Sequence, residues 1–288
     1  AERAWTNMSL GTTPAGAATS SDLTARLFSV FSRFNYSFDK KYLLTLSVRA
    51  DGSSKFAEGN KWGYFPSGSV AWRLSDEKFM DKIKSAIRLN DLKLRVSYGE
   101  AGNNRIADFL YTTQFKPNAF YDINNTLVTA LVATELANPN LKWETTVSRN
   151  LGLDAGFLNN RLQFSFDVYS NKTKGLLVNN PFPSTSGYAF QLQNIGSTSN
   201  KGIELQINGT PVQTKNFSWS TNFNISFNKN KVESLGNYQK SFLINSGWAG
   251  TNVPADYQVA VGQAVGKMYG LVSDGFYKIE DFNYANGV

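Results

Sequence analysis

Residues 217–227 alternate without a break. Phe217, Trp219, Thr221, Phe223, Ile225 and Phe227 fall on one side; Ser218, Ser220, Asn222, Asn224 and Ser226 fall on the other. A period of two puts successive side chains on opposite faces of an extended strand. One face of this strand carries no charge, and the other, continued by Asn228, is wholly polar. It is about twice as long as the usual strand of roughly 5–6 residues. It matches the roughly 9–11 residues that a tilted strand needs to cross a membrane.

The pattern recurs along the chain. Phe28, Val30, Ser32, Phe34, Tyr36 and Phe38 alternate with Ser29, Phe31, Arg33, Asn35 and Ser37. After Asp39-Lys40-Lys41, a second run sets Tyr42, Leu44, Leu46, Val48 and Ala50 against Leu43, Thr45, Ser47 and Arg49. Leu162, Phe164, Phe166 and Val168 alternate with Gln163, Ser165, Asp167 and Tyr169, and Ile203, Leu205 and Ile207 with Glu204, Gln206 and Asn208. Tight turns are expected near 39–41, 158–161 and 210–216, and longer Gly/Asn/Ser-rich segments near 51–60, 100–141, 171–199 and 229–264. Short connections on one side and long ones on the other fit an antiparallel transmembrane β-barrel. One short-side connection differs. Residues 75–90 read as a small amphipathic helix, centred on 76–88, with Ser75 as its cap, Asp76 and Glu77 in its first turn, and Phe79, Ile83 and Ile87 as its stripe.

Composition narrows the choice. No run of about 18 apolar residues exists, so helical membrane spans are out. The mean hydropathy of −0.32 fits strands that are only half apolar. The 21 Phe, 13 Tyr and 6 Trp suit aromatic belts, because amphipathic rings prefer the membrane–water interface. Phe38 and Tyr42 flank one tight turn, Phe157 and Leu162 another, and Trp62, Tyr64 and Trp72 lie at the two ends of one strand. A soluble β-sandwich is the competing reading, disfavoured because its strands are usually shorter. The net charge of +7 is scattered rather than clustered, which speaks against nucleic acid and leaves anionic lipid or lipopolysaccharide phosphate. Arg149 is the anomaly: it falls on the apolar face of the run Trp143 to Phe157. Counted from the turn at 158 it is expected about one membrane thickness away, at the outer interface, in reach of lipopolysaccharide phosphates. A register-flipping bulge is the alternative.

Enzyme chemistry finds little support. The chain has no Cys and no His, which removes Cys nucleophiles, His bases and the common zinc sites. The carboxylate pairs Asp76–Glu77 and Glu280–Asp281 read as solvated or helix-terminal groups. Asp122 to Asn125 offers oxygen ligands without calcium-loop spacing. Asn-x-Ser/Thr triplets, at Asn171 and Asn224 for instance, are expected by chance in so Asn- and Ser-rich a chain. No cofactor or metal is expected.

Specific strings carry a resemblance. Residues 42–56 (YLLTLSVRADGSSKF), 61–67 (KWGYFPS), 71–80 (AWRLSDEKFM), 92–99 (LKLRVSYG), Gly102-Asn103, 138–144 (NPNLKWE) and 200–204 (NKGIE) resemble, in order, the SusC/RagA class of TonB-dependent outer-membrane transporters. So does the stretch from Gly262 to Tyr277, with Tyr269-Gly270 and Asp274-Gly275. The resemblance implies a 22-strand barrel in a Gram-negative outer membrane, to which this chain supplies about eight or nine strands from the middle. The whole of 1–288 then belongs to one barrel domain. It also implies a plug and a TonB-contacting segment before residue 1, further strands after 288, a SusD-like surface lipoprotein as lid, and an oligosaccharide or peptide as cargo. The first ten residues have neither the basic start nor the apolar core of a signal peptide, and both ends read as cuts inside a longer protein. Such a segment, with two open strand edges, is not expected to fold by itself.

Within this frame the lumen wall is expected to include Arg33, Asn35, Arg49, Gln163, Asp167, Glu204, Asn222 and Asn224. The long segments supply groups that hold sugars or peptides: Asn103, Asn104, Tyr111, Gln114, Phe120 and Tyr121 in one, and Asn179, Asn180, Tyr188, Gln191 and Gln193 in the other. The competing reading is that these residues pack the loops or meet the lid protein. Asp51-Gly52-Ser53-Ser54 reads as a turn, Pro66 as an irregular strand position, and the glycines near 262, 266, 270 and 275 as a kinked strand or a close backbone approach. A structural or adhesive barrel that merely anchors surface loops is the alternative function.

Overall fold

A computed structural model describes residues 24–133, 135–188, 190–236, 240–248 and 255–278; Glu280 and Asp281 lie outside them. Its elements are β1 (Leu27–Phe38), β2 (Tyr42–Ser53), β3 (Trp62–Arg73), α1 (Asp81–Ile87), β4 (Leu89–Asn103), β5 (Phe115–Ile123), β6 (Thr126–Ala133), β7 (Glu144–Phe157), β8 (Leu162–Pro181), β9 (Phe190–Gln213), β10 (Ser218–Leu235), β11 (Ser241–Ile244), β12 (Tyr257–Ala260) and β13 (Lys267–Met268). Eight of the strands make one antiparallel sheet in the order β1-β2-β3-β4-β7-β8-β9-β10. The β5–β6 hairpin lies in the connection from β4 to β7, and the small β11-β12-β13 sheet follows β10.

The pairing register settles which residues share a face. Phe34, Leu46, Gly68, Tyr98, Arg149, Ser170, Lys201 and Lys229 are paired in succession and form one row across all eight strands. From that row the short-turn end lies four residues away in β1 (Phe38), eight in β7 (Phe157) and eleven in β10 (Ser218). If those ends share one level, the sheet is staggered by seven residues over seven strand steps. With about 3.3 Å per residue and about 4.8 Å between strands, this is a tilt of roughly 35°. That value belongs to a sheet closing into a barrel.

The apolar face exposes Phe28, Phe34, Val48, Val96, Leu151, Phe166, Ile203 and Phe223. In water so much exposed apolar surface is unfavourable; in lipid it is solvated. Rings border it at both ends. Along the short-turn end the Tyr42 ring centre lies 6.3 Å from that of Phe38 and 6.2 Å from that of Trp72, and Phe28 meets Trp62 at 6.1 Å near the long-loop end. Phe31 is an exception, a ring exposed on the polar face.

The turns follow from local chemistry. Asp39 and Lys40 have φ of 50° and 53°, and Asn124 and Asn125 have 53° and 63°. Two successive positive-φ residues make the turn whose twist suits a hairpin, and Asn and Asp tolerate it best. Residues 122–125 are therefore the end and turn of the β5–β6 hairpin.

Several boundaries differ from expectation. The segments 171–199 and 229–264 are less loop than their composition implies: β8 and β9 pair as far as Pro181 and Phe190, and β10 runs to Leu235. The turn expected near 210–216 closes later, after Gln213. Asp51, Gly52 and Ser53 are not a turn but the end of β2, paired with Ser29, Phe28 and Leu27. Asp51 and Gly52 also pair with Gly63 and Trp62 of β3, and the Ser53 N–H donates to the Lys61 carbonyl at 3.0 Å, so tertiary pairing overrides turn propensity. Gly52 also lies under the Trp62 ring, where an added Cβ would come within 3.2 Å. Pro66 lies one residue beyond Ser67↔Gly99, the last β3–β4 pair, the irregular position that its missing N–H requires. Gly262, Gly266 and Gly275 have φ of 85°, 80° and 104° with open space where a Cβ would be. They serve backbone conformation rather than close approach.

The helix also begins later. Two 3-10 turns, Leu74–Asp76 and Lys78–Met80, precede α1. Ser75 does not cap it. It is buried in the first turn and donates to Asp76 and Asp91 at 3.2 and 3.3 Å. Glu77 turns back to the barrel, accepting from Tyr42 Oη at 2.7 Å and Trp72 Nε1 at 3.1 Å. Ile83 and Ile87 lie on α1, Phe79 in the 3-10 turn before it, and all three are exposed.

Candidate functional site

The polar face of the sheet is the first candidate. Its side chains form cross-strand pairs: Asn35 accepts from Thr45 Oγ1 at 2.9 Å, Ser47 meets Ser67 at 2.6 Å, Thr146 meets Thr173 at 2.9 Å, and Asn222 bonds Asn208. At its centre Arg95 donates to both oxygens of Asp154 at 2.8 and 2.9 Å, and to Asp167 at 3.1 Å. Lys93 adds a contact to Asp154 at 3.0 Å. Ser165 donates to Asp154 at 2.8 Å and Asn150 to Asp167 at 2.9 Å. Arg95, Gly152 and Asp167 are direct partners in successive strands. Only a glycine between them lets the guanidinium cross β7: an added Cβ would lie 2.5 Å from Asp167 Oδ1 and 2.6 Å from Arg95 Cζ.

Sequence alternation alone points to Asp167 for this wall and does not single out Arg95, Lys93 or Asp154. Each sits at a polar position of its alternating run, but their meeting depends on the register of three strands.

The long-loop rim is the second candidate. Phe56 and Leu141 are wholly buried there, and the Trp143 ring lies 5.4 Å from Phe56 and 5.6 Å from Phe65. Trp143 Nε1 donates to the Lys61 carbonyl at 2.9 Å, and Asn60 to the Pro139 carbonyl at 3.2 Å. The β3–β4 ladder has ended at this height, and the Phe65 ring occupies the gap. An added Cβ at Gly63 or Gly102 would overlap it. Strings far apart in the chain, residues 53–56, 61–65, 102–104 and 138–144, thus converge on one packed cluster.

The nominated residues divide by what their polar atoms already do. Asn103 bonds Glu144 at 3.3 Å and the Arg105 N–H at 3.1 Å; Asn104 donates to Ser53 at 3.1 Å. Gln191 donates to the Ala137 carbonyl at 2.6 Å and accepts from Gln193 at 2.7 Å. These three, with Gln114 on the Asp108 carbonyl and Asn180 on Gln193, tie the rim together. Arg49 pairs with Asp51 at 2.8 Å and donates to Ser29 at 3.0 Å. Arg33 is exposed on the polar face, with no ion pair among the described residues. Tyr111 is half-buried near Phe109, Tyr121 is exposed on β5, and Tyr188 lies just after the 3-10 turn Ser184–Ser186, its N–H on Ser186 Oγ. A cavity of about 280 Å³ opens at the rim between residues 105–110, 135–138 and 190–192, with Gln191 in its wall. Among the described residues no group of His, Cys, Asp or Glu is arranged to hold a metal.

Long tilted strands, one apolar and one polar face, ring-bordered edges and alternating short and long connections define a segment of membrane barrel wall. A family model described as "TonB dependent receptor-like, beta-barrel" matches residues 2–287. The chain belongs to that family. It is 39% identical over 257 residues to "TonB-dependent receptor P3" of Formosa agariphila, covering 89% of this chain and 25% of that protein. It is 38% identical over 227 residues to "TonB-dependent receptor SusC" of Bacteroides thetaiotaomicron, covering 77% of this chain and 22% of that one. Among solved structures it superposes on a chain of the "RagAB peptide transporter" with a TM-score of 0.70 and 29% identity, covering 83% of this chain and 25% of that one. The SusC/RagA-type resemblance read from the strings is therefore shown. The chain spans about a quarter of the length of the relatives it matches.

Proposed function

We propose that this chain forms part of the barrel wall of an outer-membrane importer in a Gram-negative bacterium. It would take up oligosaccharides or peptides together with a SusD-like surface lipoprotein and draw its energy from TonB through an upstream segment. The single observation that carries this reading is the pair of faces: an apolar face bordered by rings and a polar face cross-linked by side chains, along strands staggered as in a barrel. The relative titled a peptide transporter favours a peptide cargo.

In this reading the protein's work is binding and passage. Arg33 and Arg49 line the path; Asn103, Asn104, Tyr111, Tyr121, Tyr188 and Gln191 shape its mouth. No bound cofactor takes part, and none of the chemistry is enzymatic.

The test is gentle extraction of the parent protein from outer membranes, with mass spectrometry of what accompanies it and an uptake assay on glycan and peptide mixtures. A co-purifying surface lipoprotein and TonB-dependent uptake support the importer. Uptake unchanged when the protein is deleted, with loss of surface adhesion instead, supports the anchoring barrel.

A further inference from the structure

We propose that the apolar face of β7–β10 carries a binding site for a phosphate-bearing lipid of the outer leaflet. A row of basic side chains holds the headgroup, and the groove beneath takes the acyl chains.

Arg149, Lys201 and Lys229 all lie on the row that crosses the sheet, and Lys201 faces Lys229 directly. All three are exposed on the apolar face. Like charges directly opposite on a sheet destabilise it, and a cation on the lipid side of a barrel is costly except near an interface. The β4–β7 and β7–β8 registers run unbroken through Arg149, so no bulge turns it away. One step toward the loops, Lys172 and Lys231 occupy the same face through their common partner Ser199. Neutralising groups are few. Glu233 is held by Ser199 at 2.7 Å and Lys231 at 3.4 Å, and Glu100 accepts from the Tyr98 hydroxyl. Among the described residues Arg149, Lys201 and Lys229 have no ion pair.

One step toward the short turns the row changes character. Leu151, Val168, Ile203 and Phe227 are paired in succession. They floor an open groove of about 800 Å³ whose upper edge is Arg149, Lys201 and Lys229. The Arg149 guanidinium lies 5.9 Å from the centre of the Tyr98 ring. A cation–π contact of this kind steadies the guanidinium beside the ring, and a guanidinium fork suits a phosphate.

Height matches chemistry. Arg149 is eight residues above Phe157, and Lys229 eleven above Ser218. At the tilt derived above this is roughly 20–30 Å, the top of an apolar band about 25 Å tall. Phosphates of outer-leaflet lipids lie at that level. The inference uses the membrane orientation of the proposed importer but not its cargo.

The experiment uses the full-length transporter with its partners, purified in mild detergent and read by native mass spectrometry. The probes are diphosphoryl lipid A and phosphatidylglycerol, each supplied in nanodiscs. The variant Arg149→Gln/Lys201→Gln/Lys229→Gln is compared with Lys82→Gln/Lys84→Gln on α1. Wild type and the α1 variant should retain lipid A, and the triple variant should retain it about tenfold to about a hundredfold more weakly, as expected for losing three interfacial cations. Excess inorganic phosphate should not displace it. Equal retention by the triple variant overturns the proposal. So does full displacement by phosphate, which would mean an anion site only, or a preference for phosphatidylglycerol. If the triple variant does not assemble, Lys201→Gln alone decides between the same outcomes. Uptake by the same preparations separates the two readings: lipid loss with intact uptake bears on this site alone.

Discussion

Arg95 reaches Asp167 across an intervening strand, Nη2 to Oδ2 at 3.1 Å, over the bare backbone of Gly152. One side chain thereby ties β4, β7 and β8 on the polar face, because its Nε and the same Nη2 donate to the two oxygens of Asp154.

Gly152→Val should break this link. The new side chain occupies the space between Arg95 and Asp167, and a half-buried charge network loses a member. A loss of about 1–3 kcal/mol is expected. Heat-induced unfolding of the full-length barrel in detergent, followed by gel mobility, measures it. In the Asp167→Asn background the further effect of Gly152→Val should shrink; full additivity would show that the bridge is not what the glycine protects.

The two faces should respond oppositely. Phe223→Lys or Ile225→Lys places a charge in the lipid band at a cost of about 2–4 kcal/mol near its centre, and should reduce assembly into the outer membrane. Asn222→Ala and Asn224→Ala, on the other face of the same strand, should assemble normally. Quantifying folded barrel in outer-membrane fractions checks this, and equal tolerance on both faces would refute the assignment.

The rim cluster predicts a suppressor. Gly102→Ala pushes a methyl into the Phe65 ring, and overpacking of this kind costs typically about 1–3 kcal/mol. Phe65→Leu should recover much of that loss in the double variant by vacating the space. Thermal unfolding of the four combinations tests it; a double variant as unstable as the sum would place the strain elsewhere.

Glu77 links the short-turn segment to the barrel and should make that link sensitive to acid. The Tyr42 hydroxyl, the Trp72 indole N–H and Lys41 hold its carboxyl below the ordinary value of 4.5. A lowered folded-state value means that the contribution is complete above 4.5 and fades as pH falls through the folded value. Glu77→Gln should remove that part of the acid dependence while leaving neutral behaviour little changed. Hydrogen exchange of residues 74–88 across the acid range is the readout, and identical profiles for both proteins would contradict it.

Much of the barrel wall is legible in the chain itself. Alternation places Phe223 and Asn222 on opposite faces whatever lies beside them, because an extended backbone has only two sides. For the same reason Arg149 stands out on its strand. The tight turn at 39–41 is equally local. What reads poorly is anything that depends on neighbours. Asp51-Gly52-Ser53 has turn composition but becomes strand because β1 and β3 supply its hydrogen bonds. Residues 171–199 have loop composition but extend a hairpin for the same reason. Ser75 and Glu77 look like helix-start residues, yet their partners are Asp91 and Tyr42, on other strands.

The sequence alone therefore determined the period, the faces, the family and the exclusion of His and Cys chemistry, all of which are carried by near neighbours or by composition. The tertiary structure decided the register. Only the register brings Arg95 to Asp167, Phe65 between Gly63 and Gly102, and Arg149 into line with Lys201 and Lys229, because a cross-strand contact is set by alignment between segments that no single segment contains.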